Sequence, residues 1–290
     1  MINRLSHVGH VVNNLDQALT LYRDYFDLQP SFIVELPQAG VRNAMLPVGD
    51  NFIDLLQPLS NEGPLARALQ TRGEGFYHLC LAVDDLDAEA RLLKTRGVEV
   101  FWGPEHPRTL FVHPRDAMGV IFELRAEREL KEFLKQGRAH NKGALVQGIS
   151  HVGHAVRDLG QATKCYESLF GLKSLPHAPR EFPVLGVRSA WVPLGRNFIE
   201  LFEPTDPAKA VGRFIARQGE GIYAVVFLVK DVDAQVARLR SKGAQVLESP
   251  TPPELPHKRA FIMRGSMKGL LIGIMTRETV AFESGTPFPA

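Results

Sequence analysis

A run of six residues, His7-Val8-Gly9-His10-Val11-Val12, returns as His151-Val152-Gly153-His154-Ala155-Val156. The match continues downstream. Asn14-Leu15-Asp16-Gln17-Ala18, with Tyr22 and Phe26 beyond it, lines up with Asp158-Leu159-Gly160-Gln161-Ala162, Tyr166 and Phe170. Gly49-Asp50-Asn51-Phe52-Ile53-Asp54-Leu55-Leu56-Gln57-Pro58 reappears as Gly195-Arg196-Asn197-Phe198-Ile199-Glu200-Leu201-Phe202-Glu203-Pro204. The offset runs only from 144 residues at His7/His151 to 146 at Gly49/Gly195. A duplication this regular divides the 290 residues into two similar halves rather than one large core.

Within the first half the pattern itself repeats. Leu5–Val12 reads as a strand, and apolar residues at Leu15, Ala18, Leu19, Tyr22 and Phe26 follow helical spacing. Asn14 with Gln17, like Asp158 with Gln161, resembles a capping box at the helix start. Three short strands are expected at Phe32–Leu36, Val41–Leu46 and Asn51–Leu56, separated by turn-like segments. After a helix-compatible stretch, 63–70, a strand at Phe76–Val83, a helix at Asp84–Arg96 and strands at 99–101, 109–113 and 120–124 give the same βαβββ order. The chain therefore reads as four such modules. Residues 127–147 are expected to link a first domain, 1–126, to a second, 148–278; the tail after Glu278 reads as irregular.

A formal charge of +2 with no dense basic run argues against nucleic acid, and no stretch reaches about 18 uncharged apolar residues. Cys80 and Cys165 occupy unrelated positions of the two halves, so no disulfide framework is expected. No secretory signal is visible, and the expected setting is the cytoplasm. A small-molecule ligand, with the chain a monomer or homodimer, is the remaining expectation.

The chemistry-bearing residues sit at equivalent places. The opening strands of the first two modules carry His7 and His78, and the closing strands carry Asp54 and Glu123 among apolar neighbours. A carboxylate in such surroundings needs a partner. Two imidazoles and two carboxylates brought together by pseudo-twofold pairing would suit a divalent metal. In the second half the corresponding residues are His151, Glu200, Ala224 and Gly273, so half the donor set is gone. His10 and His154, three positions past His7 and His151, belong on the opposite strand face and read as packing residues or helix-side hydrogen bonders.

The chain resembles the vicinal oxygen chelate superfamily, which spans glyoxalases, bleomycin-resistance proteins and extradiol dioxygenases; its first half most resembles methylmalonyl-CoA epimerase. The residues that carry the likeness include His7-Val8-Gly9, Leu21-Tyr22-Arg23, Phe52 to Pro58, Gly75-Phe76-Tyr77-His78, Phe111-Val112-His113-Pro114 and Gly119 to Leu124. The resemblance implies an α+β fold of four βαβββ modules paired into two cup-shaped mixed sheets. It also implies one divalent metal ion per chain (Co, Zn, Mn, Ni or Fe(II)) at His7, Asp54, His78 and Glu123. Asp54 stands where Glu or Gln is usual. At the position of the epimerase's second carboxylate base stands Gln38, whose amide cannot take a proton, with Glu35 nearby.

The expected activity is metal-dependent isomerisation, epimerisation or lyase chemistry by proton abstraction next to a carbonyl, on a small oxygenated or acyl-thioester substrate. Glu123, Asp54 and Glu35 are the expected catalytic residues, and Gln38, His106 and Arg108 the expected substrate contacts. If Asp54 does not ligate, His7, His78 and Glu123 form the 2-His-1-carboxylate set of non-heme Fe(II) dioxygenases. A metal-free binding protein of the resistance type is the non-enzymatic alternative. The anion-binding potential of His257-Lys258-Arg259, and the aromatic residues Phe101, Trp102 and Trp191, read as secondary features.

Overall fold

A computed structural model describes residues 1–104, 108–140, 145–177, 179–248 and 258–288. β1 (Ile2–Val11), α1 (Leu15–Phe26), β2 (Phe32–Leu36), β3 (Val41–Val48) and β4 (Asn51–Pro58) form the first module. α2 (Gly63–Arg72) leads to β5 (Gly75–Val83), α3 (Leu86–Thr95), β6 (Val100–Trp102), β7 (Leu110–Val112) and β8 (Ile121–Ala126). α4 (Glu127–His140) then precedes the second run, which opens with β9 (Val146–Ala155), α5 (Leu159–Phe170), β10 (Arg180–Phe182), β11 (Val187–Leu194) and β12 (Asn197–Pro204). It closes with α6 (Ala210–Gln218), β13 (Gly221–Val229), α7 (Val232–Ser241), β14 (Val246–Glu248), β15 (Ala260–Ile262), β16 (Ile272–Met275) and α8 (Arg277–Ser284). This is the α+β plan expected of four βαβββ modules.

The strands make two eight-stranded mixed sheets, ordered β2-β3-β4-β1-β5-β8-β7-β6 and β10-β11-β12-β9-β13-β16-β15-β14. In each module the first strand runs parallel to the last, as β1 with β4 and β5 with β8, while the remaining pairs are antiparallel hairpins. The crossover helix between parallel strands makes that order possible.

Helix starts obey local capping chemistry. Asn14 Oδ1 accepts from Gln17 N at 2.9 Å, and Asp158, Asp85 and Asp231 do the same for Gln161, Ala88 and Ala234. α1 ends on Asp27 in the left-handed region (φ 59°) and α5 on Gly171 (φ 70°). The tail differs from expectation. α8 forms because Thr276 caps it, Val280 is buried, and Glu283 meets the buried Arg259 at 2.6 Å.

Two compact units are present. One holds Met1–Leu5, His78–Arg128 and His151–Ala224; the other holds Ser6–Tyr77, Glu129–Ser150 and Val225–Ala290. Each unit thus packs a module of one half against a module of the other. In the second unit the Phe26 and Phe227 rings meet edge to face at 5.1 Å, and Gln235 Nε2 donates to Tyr25 O at 2.8 Å. In the first, Phe122 meets Phe170 at 4.9 Å and an Arg96 guanidinium nitrogen donates to Leu169 O at 2.7 Å.

The second histidine of each repeat motif belongs to this packing, as its position on the opposite strand face predicts. His10 Nδ1 lies 3.2 Å from the Tyr22 hydroxyl and Nε2 2.9 Å from Lys268 O. His154 makes the same pair of contacts, at 2.9 Å each, with Tyr166 and Met118 O. Lys268 and Met118 both adopt positive φ (46° and 51°), which turns their carbonyls toward the imidazoles. Burial without a counter-charge holds both histidines down to about 4, so they are neutral clips at neutral pH.

Candidate metal centre

β1 lies parallel to β4, with His7 opposite Phe52 and Gly9 opposite Asp54. Because side chains alternate along a strand, His7 and Asp54 share one face with Met45 and Phe32 of the neighbouring strands. Met45 and Phe52 form a buried apolar cluster there, with Phe32 against it. Ser6 Oγ lies 3.2 Å from His7 Nδ1, which steadies the ring. The Asp54 carboxylate accepts from Asn43 Nδ2 at 3.1 Å, with both side chains buried. Asn43 was not anticipated. One polar residue on a strand carries no signal until the hairpin register sets it near an acid.

On the second module, Cys80 pairs with Glu123 and His78 with Ile121 along the β5–β8 ladder. His78 and Glu123 project to the same face, and His78 Nε2 lies 3.0 Å from Glu123 Oε2. Beyond Glu123 the face continues through Phe111 to Phe101, whose rings stack with centroids 6.2 Å apart. Phe101 is 41% exposed, as suits a wall residue rather than core.

Among the described residues, His7, His78 and Glu123 form a group that could hold a metal: one ligand atom from each lies within 4.8 Å of the others, and all three are buried. Asp54 is outside this group. The two imidazoles and a carboxylate fit a divalent cation, because ligands about 2.0–2.2 Å from one ion can be reached from that spacing by small rotamer changes.

The other expected site residues stand elsewhere. Glu35 pairs with Arg42 across the β2–β3 ladder and is exposed. Arg42 in turn binds Asp16 of α1, at 3.1 Å. Glu35 is thus on the helix side of the sheet, opposite to His7 and Asp54. The period-two alternation removes it from the site as a base. Gln38 is exposed in the short 3-10 turn Pro37–Ala39, and Arg108 is exposed as well. His106 and His257 lie outside the described residues. Lys258 binds Asp233 at 2.7 Å and Arg259 binds Glu283, so these two cations serve ion pairs within the fold.

In the second half, His151 Nε2 lies 3.4 Å from Glu200 Oε2, and Trp191 packs on the His151 ring at 4.8 Å. Trp191 is 1% exposed and pairs with Glu200, where the first half has Met45 opposite Asp54. Ala224 and Gly273 supply no ligand. A Cβ on Gly273 would meet Val226 Cγ2 at 2.9 Å and a Phe261 ring carbon at 3.2 Å, so the space of the missing glutamate is filled.

The family model described as "Glyoxalase/Bleomycin resistance protein/Dioxygenase superfamily" matches residues 6–114 and 150–261. The first half resembles methylmalonyl-CoA epimerase. The mitochondrial enzyme of Mus musculus is 33% identical over 129 residues, 42% of this chain and 72% of its own length. The ethylmalonyl-CoA/methylmalonyl-CoA epimerase of Cereibacter sphaeroides is 32% identical over 132 residues, 43% of this chain and 98% of its own. A solved structure of a 4-hydroxymandelate synthase mutant from Streptomyces coelicolor has a TM-score of 0.71 and covers 95% of this chain and 93% of that one. At 16% identity it shows a shared fold alone. With most of both halves matched, this chain belongs to the glyoxalase/bleomycin resistance protein/dioxygenase superfamily.

Proposed function

We propose that the protein is a divalent-metal-dependent epimerase or isomerase of acyl thioesters. Its site lies in residues 1–126, joined by 127–147 to a sister half, 148–278, that does not hold the metal. The observation that carries this reading is the buried convergence of His7, His78 and Glu123 in the half that resembles the epimerases. These three side chains would hold the metal, and Asp54 is a buried acid hydrogen-bonded by Asn43. When bound, a divalent ion polarises a substrate carbonyl and acidifies the adjacent C–H.

The chain supplies the rest. Glu123, whose Oε2 lies 3.0 Å from His78 Nε2 and whose Oε1 lies 3.9 Å from an Arg125 guanidinium nitrogen, is the carboxylate we assign to proton transfer. Met45 and Phe52, with Phe32 against them, give the sheet face that carries His7 an apolar surface. Gln38 can orient a substrate but cannot take its proton.

Metal analysis of the full chain beside His78→Ala tests the site: near one ion per chain is expected in the wild type and roughly none in the variant. Equal metal in both would sink it. Deuterium uptake from D2O at the α-carbon of methylmalonyl-CoA tests the reaction, and absence of exchange would count against it. A second reading is favoured by the make-up of the three-residue group, of which Asp54, hydrogen-bonded by Asn43, is not a member. A 2-His-1-carboxylate set suits an Fe(II) dioxygenase. Oxygen consumption by the Fe(II)-loaded protein would select that reading.

A further inference from the structure

The opposite face of β1 also borders a cavity. His10, three residues past His7, points to that face, where its ring meets the Tyr22 hydroxyl of α1 and the Lys268 carbonyl. Beside this contact, α1 and the loop before β16 border an open pocket of about 540 Å³, within one compact unit. That volume suits a small molecule. Gln17, Leu21 and Tyr25 line it from the helix, and Gly265, Ser266 and Lys268 from the loop.

The groups left uncommitted there are donors. Tyr25 is 6% exposed, and its hydroxyl has no partner among the described residues. Burial and the neighbouring Asp24 carboxylate push the phenol above its ordinary pKa, so it stays protonated. Ser266 Oγ accepts from Gln245 N at 2.9 Å, which leaves its own proton to give. The Lys268 ammonium lies 3.1 Å from Gln17 Oε1 and 3.4 Å from Glu74 Oε1, and a third N–H remains. Glu74 is itself shared, accepting from Asn13 N at 2.8 Å.

The backbone roles of these residues need neither a hydroxyl nor a cation. In the other unit Leu169 O accepts from Arg96 as Tyr25 O does from Gln235. Met118 O meets His154 there as Lys268 O meets His10.

We propose that this pocket is a binding site, separate from the metal centre, for a small organic oxyanion. Its carboxylate or phosphate group is received by Tyr25, Ser266 and Lys268, and its body lies against Leu21. Hydrogen bonds from an ammonium and two hydroxyls to one anionic group are charge-assisted, which favours the ionised ligand over a neutral one.

Calorimetry on the full chain tests this with benzoate and phenyl phosphate, and with benzyl alcohol as the uncharged control. At least one anion should bind about tenfold or more tightly than the alcohol, and the tighter anion names the head group. Lys268→Gln is expected to weaken that anion about tenfold and Tyr25→Phe about fivefold. A Cβ at Gly265 would meet nothing within 4 Å, and this glycine has no positive φ. Gly265→Leu therefore enters open space at the pocket without straining the backbone, and should abolish binding. The wild-type affinity is expected to persist in His78→Ala; its loss there would place the anion on the metal and overturn the proposal. Binding of neither anion, equal binding of the alcohol, or binding unchanged in both Gly265→Leu and Lys268→Gln would overturn it as well.

Discussion

The two sheets share strand order, and their opening histidines share a register, with His7 opposite Phe52 and His151 opposite Phe198, yet among the described residues only the first gathers a group that could hold a metal. In the first, Cys80 stands opposite Glu123; in the second, Val226 stands opposite Gly273. The exchange is reciprocal in volume. A small thiol leaves room for a glutamate, whereas a branched valine closes on a bare glycine. Trp191 in place of Met45 completes the filling. The difference teaches that this fold is held by its strand ladders and helix packing. In the second half the positions equivalent to the candidate site are occupied by packed side chains.

The sharpest test of that contrast is a matched pair of variants. His7→Ala should lower bound metal by about tenfold or more, as expected for a lost ligand, whereas His151→Ala should leave it unchanged by elemental analysis. Metal lost in both would erase the distinction between the halves. Next in size is Trp191→Ala, expected to cost about 3–5 kcal/mol in urea unfolding because the fully buried indole fills the second face. Met45→Ala, a smaller buried side chain, should cost less. The reverse order would mean that the second half is not packed as core.

The third test probes what the halves share. His10 and His154 have folded-state pKa values of about 4, below the unfolded value near 6.5. Between those values the unfolded chain binds more protons, so stability is full above pH 6.5 and falls as pH drops toward 4. The loss is roughly 3 kcal/mol per histidine by pH 4. Urea midpoints measured from pH 7 to 4.5 should fall steadily. A flat profile would contradict neutral buried clips. The smallest effect belongs to Asn43→Ala. Loss of one hydrogen bond to Asp54 should destabilise the protein by about 1–3 kcal/mol without removing metal, and a large metal loss would bring Asp54 into the ligand set.

Much of this was legible in residue order. The duplication, the βαβββ modules and the short loops follow from periodicity and turn chemistry. Placing His7, His78 and Glu123 at equivalent strand positions required only alignment of the modules. That Glu35 lies on the sheet face opposite His7 and Asp54 was not legible, because strand alternation depends on where the hairpin register starts, and one step reverses the face. The helix over 277–284 was missed because its stability comes from the Arg259–Glu283 pair, formed across 24 residues of chain. Asn43 gave no local signal either, since it acquires meaning only from the Asp54 carboxylate it meets.

By itself, then, the amino-acid order determined the number of modules, the element types and which half retains two histidines and a glutamate, because these are carried by spacing along the chain. Tertiary structure alone decided which modules pack together, that the second histidine of each motif closes on a backbone carbonyl, and that Asp54 is held by Asn43. Those choices depend on carbonyl directions, strand register and buried volume, which arise only when distant segments meet.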